Sequence, residues 1–168
     1  MPLDPISENL VNLLKSSRAR SALGSALNRV ESALASRPGE PQAWESLALD
    51  SLGFDVPSEI QSCWIFVLRA GATFGAERHP NSHQRSVALA GTARFEVFVD
   101  GAWSLRPVGT EPSESPAISI PRSVWHRIEI GPRNFASLSF HTVPSSELIE
   151  ETPIDDDLSM TKRRLYHA

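Results

Sequence analysis

The sequence predicts a mainly β chain, an all-β barrel or sandwich preceded by a helical segment. Three observations predict it. From Gln61 onward, short apolar or alternating runs recur at close spacing, bounded by turn residues and with no helical period between them. Proline is abundant, 13 in 168 residues, which suits many short strands joined by turns. Before Phe54 the apolar residues instead recur at steps of three and four, the mark of a helix face. A chain of this length is one domain with, at most, a smaller appended unit. A hydrophobic content of 40% and a charged content of 21% suit a water-soluble core. The net charge of -4 argues against nucleic acid as a partner, because phosphate binding needs clustered Lys and Arg. No apolar run is long enough to cross a membrane, and Met1–Ser7 lacks the basic and apolar regions of a signal peptide. The expectation is therefore a cytoplasmic protein with neither membrane nor nucleic-acid partner.

The first helix is expected from Ser7, whose hydroxyl is a good N-cap, with Leu10, Val11, Leu13 and Leu14 on its apolar side. A second carries Leu23, Leu27, Val30 and Leu34 on one face and ends at Pro38-Gly39. A third is expected over Gln42–Leu52, with Gly53 as its C-cap. No basic recognition helix accompanies them, so a helix-turn-helix reader of DNA is not expected. Strands are expected near 61–70, 72–79, 84–90, 93–99, 102–107, 116–121, 124–130 and 135–143. Asp100-Gly101 is the clearest hairpin turn among them. The predicted organisation is a helical segment over 1–58, a barrel over 59–148 and a tail over 149–168. The tail runs from Asp155-Asp-Asp157 to Lys162-Arg-Arg164 and reads as a solvated charge run or an arm to a neighbouring subunit.

Chemistry-bearing residues concentrate between Gly71 and Gly91. Alternation along a strand ending at His79 puts Thr73, Gly75, Glu77 and His79 on one face, so Glu77 and His79 converge. After the turn Pro80-Asn-Ser82, one of the consecutive residues His83 and Gln84 must also point inward. His126 shares its parity with Val124, Ile128 and Ile130 and should face an apolar interior, where an imidazole needs a partner. If His83 is the inward residue, His79, His83 and His126 make a three-imidazole site suited to zinc. Arg78 and Arg85 take the outward parity, and His141, opposite in parity to Leu138 and Phe140, reads as a surface or rim residue. The lone Cys63 lies in an apolar run and reads as a buried, inert thiol; the four tryptophans read as packing.

Two of these stretches resemble the cupin superfamily. Its first motif runs Gly, five residues, His, one residue, His, three or four residues, Glu, six residues, Gly. Here the register is Gly71, Glu77, His79, Gln84 and Gly91. Its second motif centres on Pro, one residue, Gly, two residues, His, and here reads Pro121, Ser123 and His126. The resemblance covers roughly residues 60–145 and implies a double-stranded β-helix, or jelly-roll barrel. It also implies a metal held by Glu77, His79, Gln84 and His126, and a homodimer. Two departures matter. The family's first histidine is Glu77 and its glutamate is Gln84, so the carboxylate has changed corner; and the second motif's glycine is Ser123. The spacing to Gly91 favours Gln84 inward, with His83 at the rim.

Two imidazoles and one carboxylate can still hold ferrous iron with open positions, and zinc, manganese or nickel is compatible with the same donors. The resulting expectation is a metal-dependent cupin enzyme acting on a small organic or thiol molecule, dioxygenase chemistry leading and lyase or isomerase chemistry next. His83 and Gln84 would position substrate or move protons. The competing readings are a non-catalytic sensor that binds a small ligand, and a metal-free epimerase using His83 or His126 as base.

Overall fold

The computed structural model describes residues 3–166. Two helices lead: α1 (Pro5–Leu14) and α2 (Ser17–Ala35). Eleven strands follow: β1 (Gln42–Leu47), β2 (Ser62–Leu68), β3 (Thr73–Glu77), β4 (Gln84–Ala90), β5 (Thr92–Val99), β6 (Ala102–Gly109), β7 (Ala117–Ile120), β8 (His126–Ile130), β9 (Phe135–His141), β10 (Ile149–Ile154) and β11 (Asp157–Leu165). A five-stranded sheet in the order β1-β2-β9-β4-β7 faces a four-stranded sheet in the order β3-β8-β5-β6. All pairings are antiparallel. The interleaved order is that of a jelly roll, as expected. Strands β10 and β11 form a separate hairpin.

The larger sheet is covered on both faces. Cys63, Ile65 and Val67 of β2, Val87 of β4 and Ala136, Leu138 and Phe140 of β9 point away from the barrel. There they meet Leu10 and Val11 of α1 and Leu23, Ala26, Val30 and Leu34 of α2. A second apolar cluster fills one end of the barrel between the sheets, around Leu68, Phe95, Ile118, Ile130 and Phe135. The helices therefore roof the sheet, and Cys63 is buried among apolar side chains that push its thiol pKa well up. Arg69 ties the roof down: its guanidinium donates to the carbonyls of Leu34, Arg37 and Glu40 at and just beyond the end of α2. Among the described residues no helix is long and apolar enough to cross a membrane.

Two local expectations are corrected. Gln42–Leu47 is not helical; it pairs along its whole length with β2, Trp44 opposite Phe66 and Ala43 opposite Val67. Only Leu49–Leu52 coils, as a short 3-10 turn capped by Gly53 at φ 78. Six residues of mixed polarity carry little local preference, and the open edge of β2 decides their state. The N-cap of α1 is Asp4 rather than Ser7. Asp4 accepts from the amides of Ile6 and Ser7 and from the Ser7 hydroxyl, leaving Ser7 buried in the first turn.

Asp4 also receives Nε of Arg85 at 3.1 Å, so the outward-parity Arg85 is buried under α1 instead of solvated. Burial opposes ionisation of Asp4, but the hydrogen bonds from Ser7, Ser119 and Arg85 and the Arg85 charge outweigh it. They hold its pKa at about 2, against an ordinary value of 3.8. A carboxyl lowered in the folded state stabilises fully above its unfolded pKa and loses that contribution as pH falls through the folded one. Asp4→Asn keeps a capping oxygen but removes the charge. Chemical denaturation should find it less stable than the wild type at pH 6, with the difference shrinking between pH 4 and 2. A pH-independent difference would detach Asp4 from the acid response.

Candidate metal centre

Glu77 and His126 meet because β3 and β8 pair antiparallel with these two residues directly opposite. Side chains of directly opposed residues share one face. The path to that arrangement differs from simple alternation. Phe74, opposite Ile128, already points into the barrel, and strict alternation from Phe74 would turn Glu77 outward. A bulge between Phe74 and Glu77 sets three steps of β3 against two of β8 and turns Glu77 inward as well. Thr73 consequently lies on the opposite face from Glu77, unlike the sequence expectation.

His79 follows β3 and is 5% exposed; His126 opens β8 and is 2% exposed. Nε2 of His126 is 3.3 Å and Nε2 of His79 is 4.0 Å from Oε1 of Glu77. One ligand atom from each of the three residues lies within 4.8 Å of the other two, a spread that one cation spans with little adjustment. The tautomers follow from the other ring nitrogens. Nδ1 of His79 is 3.0 Å from the carbonyl of Ile149, and Nδ1 of His126 is 3.2 Å from that of Val124. A carbonyl only accepts, so both Nδ1 atoms carry a proton and Nε2 is the nitrogen each ring turns toward Glu77. Nε2 of His126 is buried and makes no directed hydrogen bond despite its proximity to Glu77. Burial, aided by the nearby His126 and opposed by Glu77, holds His79 below its ordinary pKa. Burial works against ionisation of Glu77, but His126, His79 and Arg164 overcome it and keep the carboxyl below its usual range. Two imidazole Nε2 atoms and a carboxylate, aimed together, fit a divalent cation.

Gln84 points inward. It lines the same cavity, donates from Nε2 to the Ser86 hydroxyl at 3.2 Å and leaves Oε1 buried without a partner. His83 does not enter the site. Its Nε2 lies 2.7 Å from the Ser119 hydroxyl on β7, toward Arg85 and Asp4 on the outer side of the sheet. The three-imidazole arrangement with His83 is therefore absent, and a catalytic role for His83 has no geometric support. His141, instead, lines the cavity. It is 3% exposed, with ring nitrogens 3.2 Å from the Ser82 hydroxyl and 3.0 Å from the Ser139 hydroxyl, and its ring meets that of His79 edge-on at 5.0 Å. Burial, reinforced by His79 and His126, drives its pKa well down. Its parity was read correctly. The face opposite Leu138 and Phe140 is the barrel interior, so His141 sits inside the cavity rather than at a surface or rim.

The cavity around these groups has a volume of about 110 Å³. That is well below the roughly 300–1,000 Å³ of drug-sized pockets, so it suits an ion and a molecule of few atoms. Its outer wall comes from the C-terminal hairpin, which sequence reasoning missed. Leu148, Glu150, Arg164 and Tyr166 all line the cavity. The hairpin turns at Asp155 and Asp156, whose φ values of 53 and 62 match the mirror-image turn that joins two-residue hairpins. Arg78 and Glu151 exchange backbone hydrogen bonds at 2.9 Å in both directions, and the Glu151 carboxylate takes Arg78 and Arg163. Arg163 and Arg164 of the charge run thus pair with Glu151 and Glu150 across the hairpin, while Asp155 and Asp156 make its turn. The available signal was that Asp-Asp pair between two extended runs.

Ser123, where the cupin pattern has glycine, adopts φ 63, the left-handed region that glycine enters freely. Its amide donates to the carbonyl of His79 at 3.0 Å and so links the two motifs.

No family model matches the chain, and no curated protein matches it. Solved structures do. Pumpkin pro-11S globulin superposes with a TM-score of 0.53 at 19% identity, covering 68% of this chain and 28% of that one. The coconut allergen cocosin gives 0.53 at 17% identity, covering 68% and 29%. An oxalate decarboxylase from Bacillus subtilis gives 0.51 at 18% identity, covering 63% and 26%. This chain spans less than a third of the length of each.

Proposed function

We propose that this protein, whose barrel has the cupin fold, is a metal-dependent oxidoreductase of dioxygenase type acting on a small organic molecule. In this reading His79, His126 and Glu77 hold the cation, ferrous iron. The observation that carries it is the pair of imidazoles that turn Nδ1 to backbone carbonyls and Nε2 toward the Glu77 carboxylate. A facial set of two histidines and one carboxylate leaves coordination positions open, and iron there supplies one-electron redox chemistry. The chain's own residues do the rest. The carbonyls of Ile149 and Val124 fix the imidazole tautomers, and Gln84 offers a neutral amide oxygen toward ion or substrate. The narrow cavity, walled by Trp64 and Phe66, excludes bulky molecules.

Lyase or isomerase chemistry at the same site is the second reading. Glu150 favours it: burial and the neighbouring Glu77 raise its pKa to about 7, where a carboxyl can both give and take protons near neutrality. The test loads the protein anaerobically with ferrous iron and follows oxygen uptake against small hydroxy acids, keto acids and thiols. Oxygen uptake lost in His79→Ala supports the first reading. Turnover of such a compound without oxygen uptake supports the second.

A further inference from the structure

We infer that Glu150, on the C-terminal hairpin, is a second carboxylate of the metal centre: it seats Glu77 and brings the negative charge that the Gln84 amide lacks. The inference rests on the reading of Glu77, His79 and His126 as a cation site.

The Glu150 side chain is only 2% exposed. Nε and Nη2 of Arg164 both bind the same oxygen, Oε1, at 2.7 and 2.6 Å. Glu150 lines the same cavity as Glu77, and the backbone pairing of Arg78 with Glu151 sets the two on adjoining strands. The placement is rigid. The flanking residue Ile149 gives its carbonyl to His79 and its amide to Asn81, and Glu151 is locked to Arg78.

One guanidinium, itself 68% exposed, offsets one of two adjoining carboxylates. The second carboxylate shares a mixed wall, in which the Trp64 indole N–H and the Tyr166 hydroxyl can donate. Nε2 of His79, Nε2 of His126 and Oε1 of Gln84 are acceptors, and the last two are buried without any donor. Converging acceptors that lack donors beside the Glu77 carboxylate are satisfied by a cation. Glu150 falls outside the group of three whose ligand atoms converge, so it acts through Glu77 rather than as a ligand. It is a positioning residue, fixing the orientation of that carboxylate and adding to the field at the ion.

Calorimetric titration of the full chain with Mn(II), which needs no exclusion of oxygen, tests this. Glu150→Gln should weaken binding by roughly 10–100-fold, the usual effect of removing a group that orients a ligand. Glu150→Asp, which keeps the charge, should retain more of the affinity. Arg164→Gln removes an opposing positive charge and should bind at least as tightly as the wild type. That opposite sign separates an effect of charge from damage to the hairpin. Glu150→Gln binding within threefold of a metal-binding wild type would overturn the inference alone. So would Arg164→Gln losing as much affinity as Glu150→Gln. A wild type that takes up no metal would overturn both this inference and the reading beneath it.

Discussion

Gly91→Ala is expected to remove most of the stability of the fold. Gly91 turns the chain from β4 into β5 at φ 73. A Cβ there would sit 2.2 Å from the carbonyl oxygen of Asn134, 3.1 Å from its carbonyl carbon and 3.2 Å from Cα of Phe135. All three are backbone atoms, so no side chain can swing aside. Relief requires drawing the turn away from the start of β9, where Phe135 is fully buried between the sheets. The left-handed conformation costs a non-glycine residue about 1–2 kcal/mol by itself, and overpacking adds about 1–3 kcal/mol more. Together these approach the lower end of the roughly 5–15 kcal/mol that holds a domain folded. Gly71→Ala is the control. Gly71 has φ 72 but nothing within 4 Å of its would-be Cβ, so only the conformational cost applies. Urea unfolding of both variants measures the contrast, and equal midpoints would refute the clash.

Glu77→Ala and His126→Ala are each expected to lower metal affinity by more than about 100-fold, because each removes one of three converging donors. Gln84→Ala should have a smaller effect, since an amide oxygen is a weak neutral donor. His83→Ala should have none, because its ring points to Ser119 on the far side of the sheet. Metal content after purification without chelator, followed by Mn(II) titration, measures all four. Retention of stoichiometric metal by both Glu77→Ala and His126→Ala would remove the site. Melting of the metal-free variants checks that losses do not arise from unfolding.

The barrel strands were legible because their alternation or apolar continuity is local and their turns carry Asp-Gly, Gly-Pro and Pro-Asn signals. The convergence of Glu77, His79 and His126 was legible as a register, although the bulge that turns Glu77 inward was not. Bulges depend on which strand lies alongside, here β8, and that is a long-range fact. Gln42–Leu47 failed for the same kind of reason, since its state is decided by the edge of β2. His141 failed differently. Parity names two faces without saying which one meets water, and the α1–α2 roof left this sheet with no wet face at that strand. Glu150 was invisible because its acidic neighbourhood looks solvated until Arg163 and Arg164 are paired across the hairpin.

The helical roof has a consequence for how this protein can change. An ordinary small barrel must keep its interior greasy, because the interior is its main store of stabilising contacts. Here much of that store lies outside the barrel, between the helices and the back of the larger sheet. Ser86, Ser137 and Ser139 line the cavity on the opposite side of those same strands. Their side chains can be exchanged with the roof left intact. A library randomised at these three serines should therefore yield mostly folded proteins with altered ligand preference, so that the site can drift to new substrates without the scaffold being rebuilt.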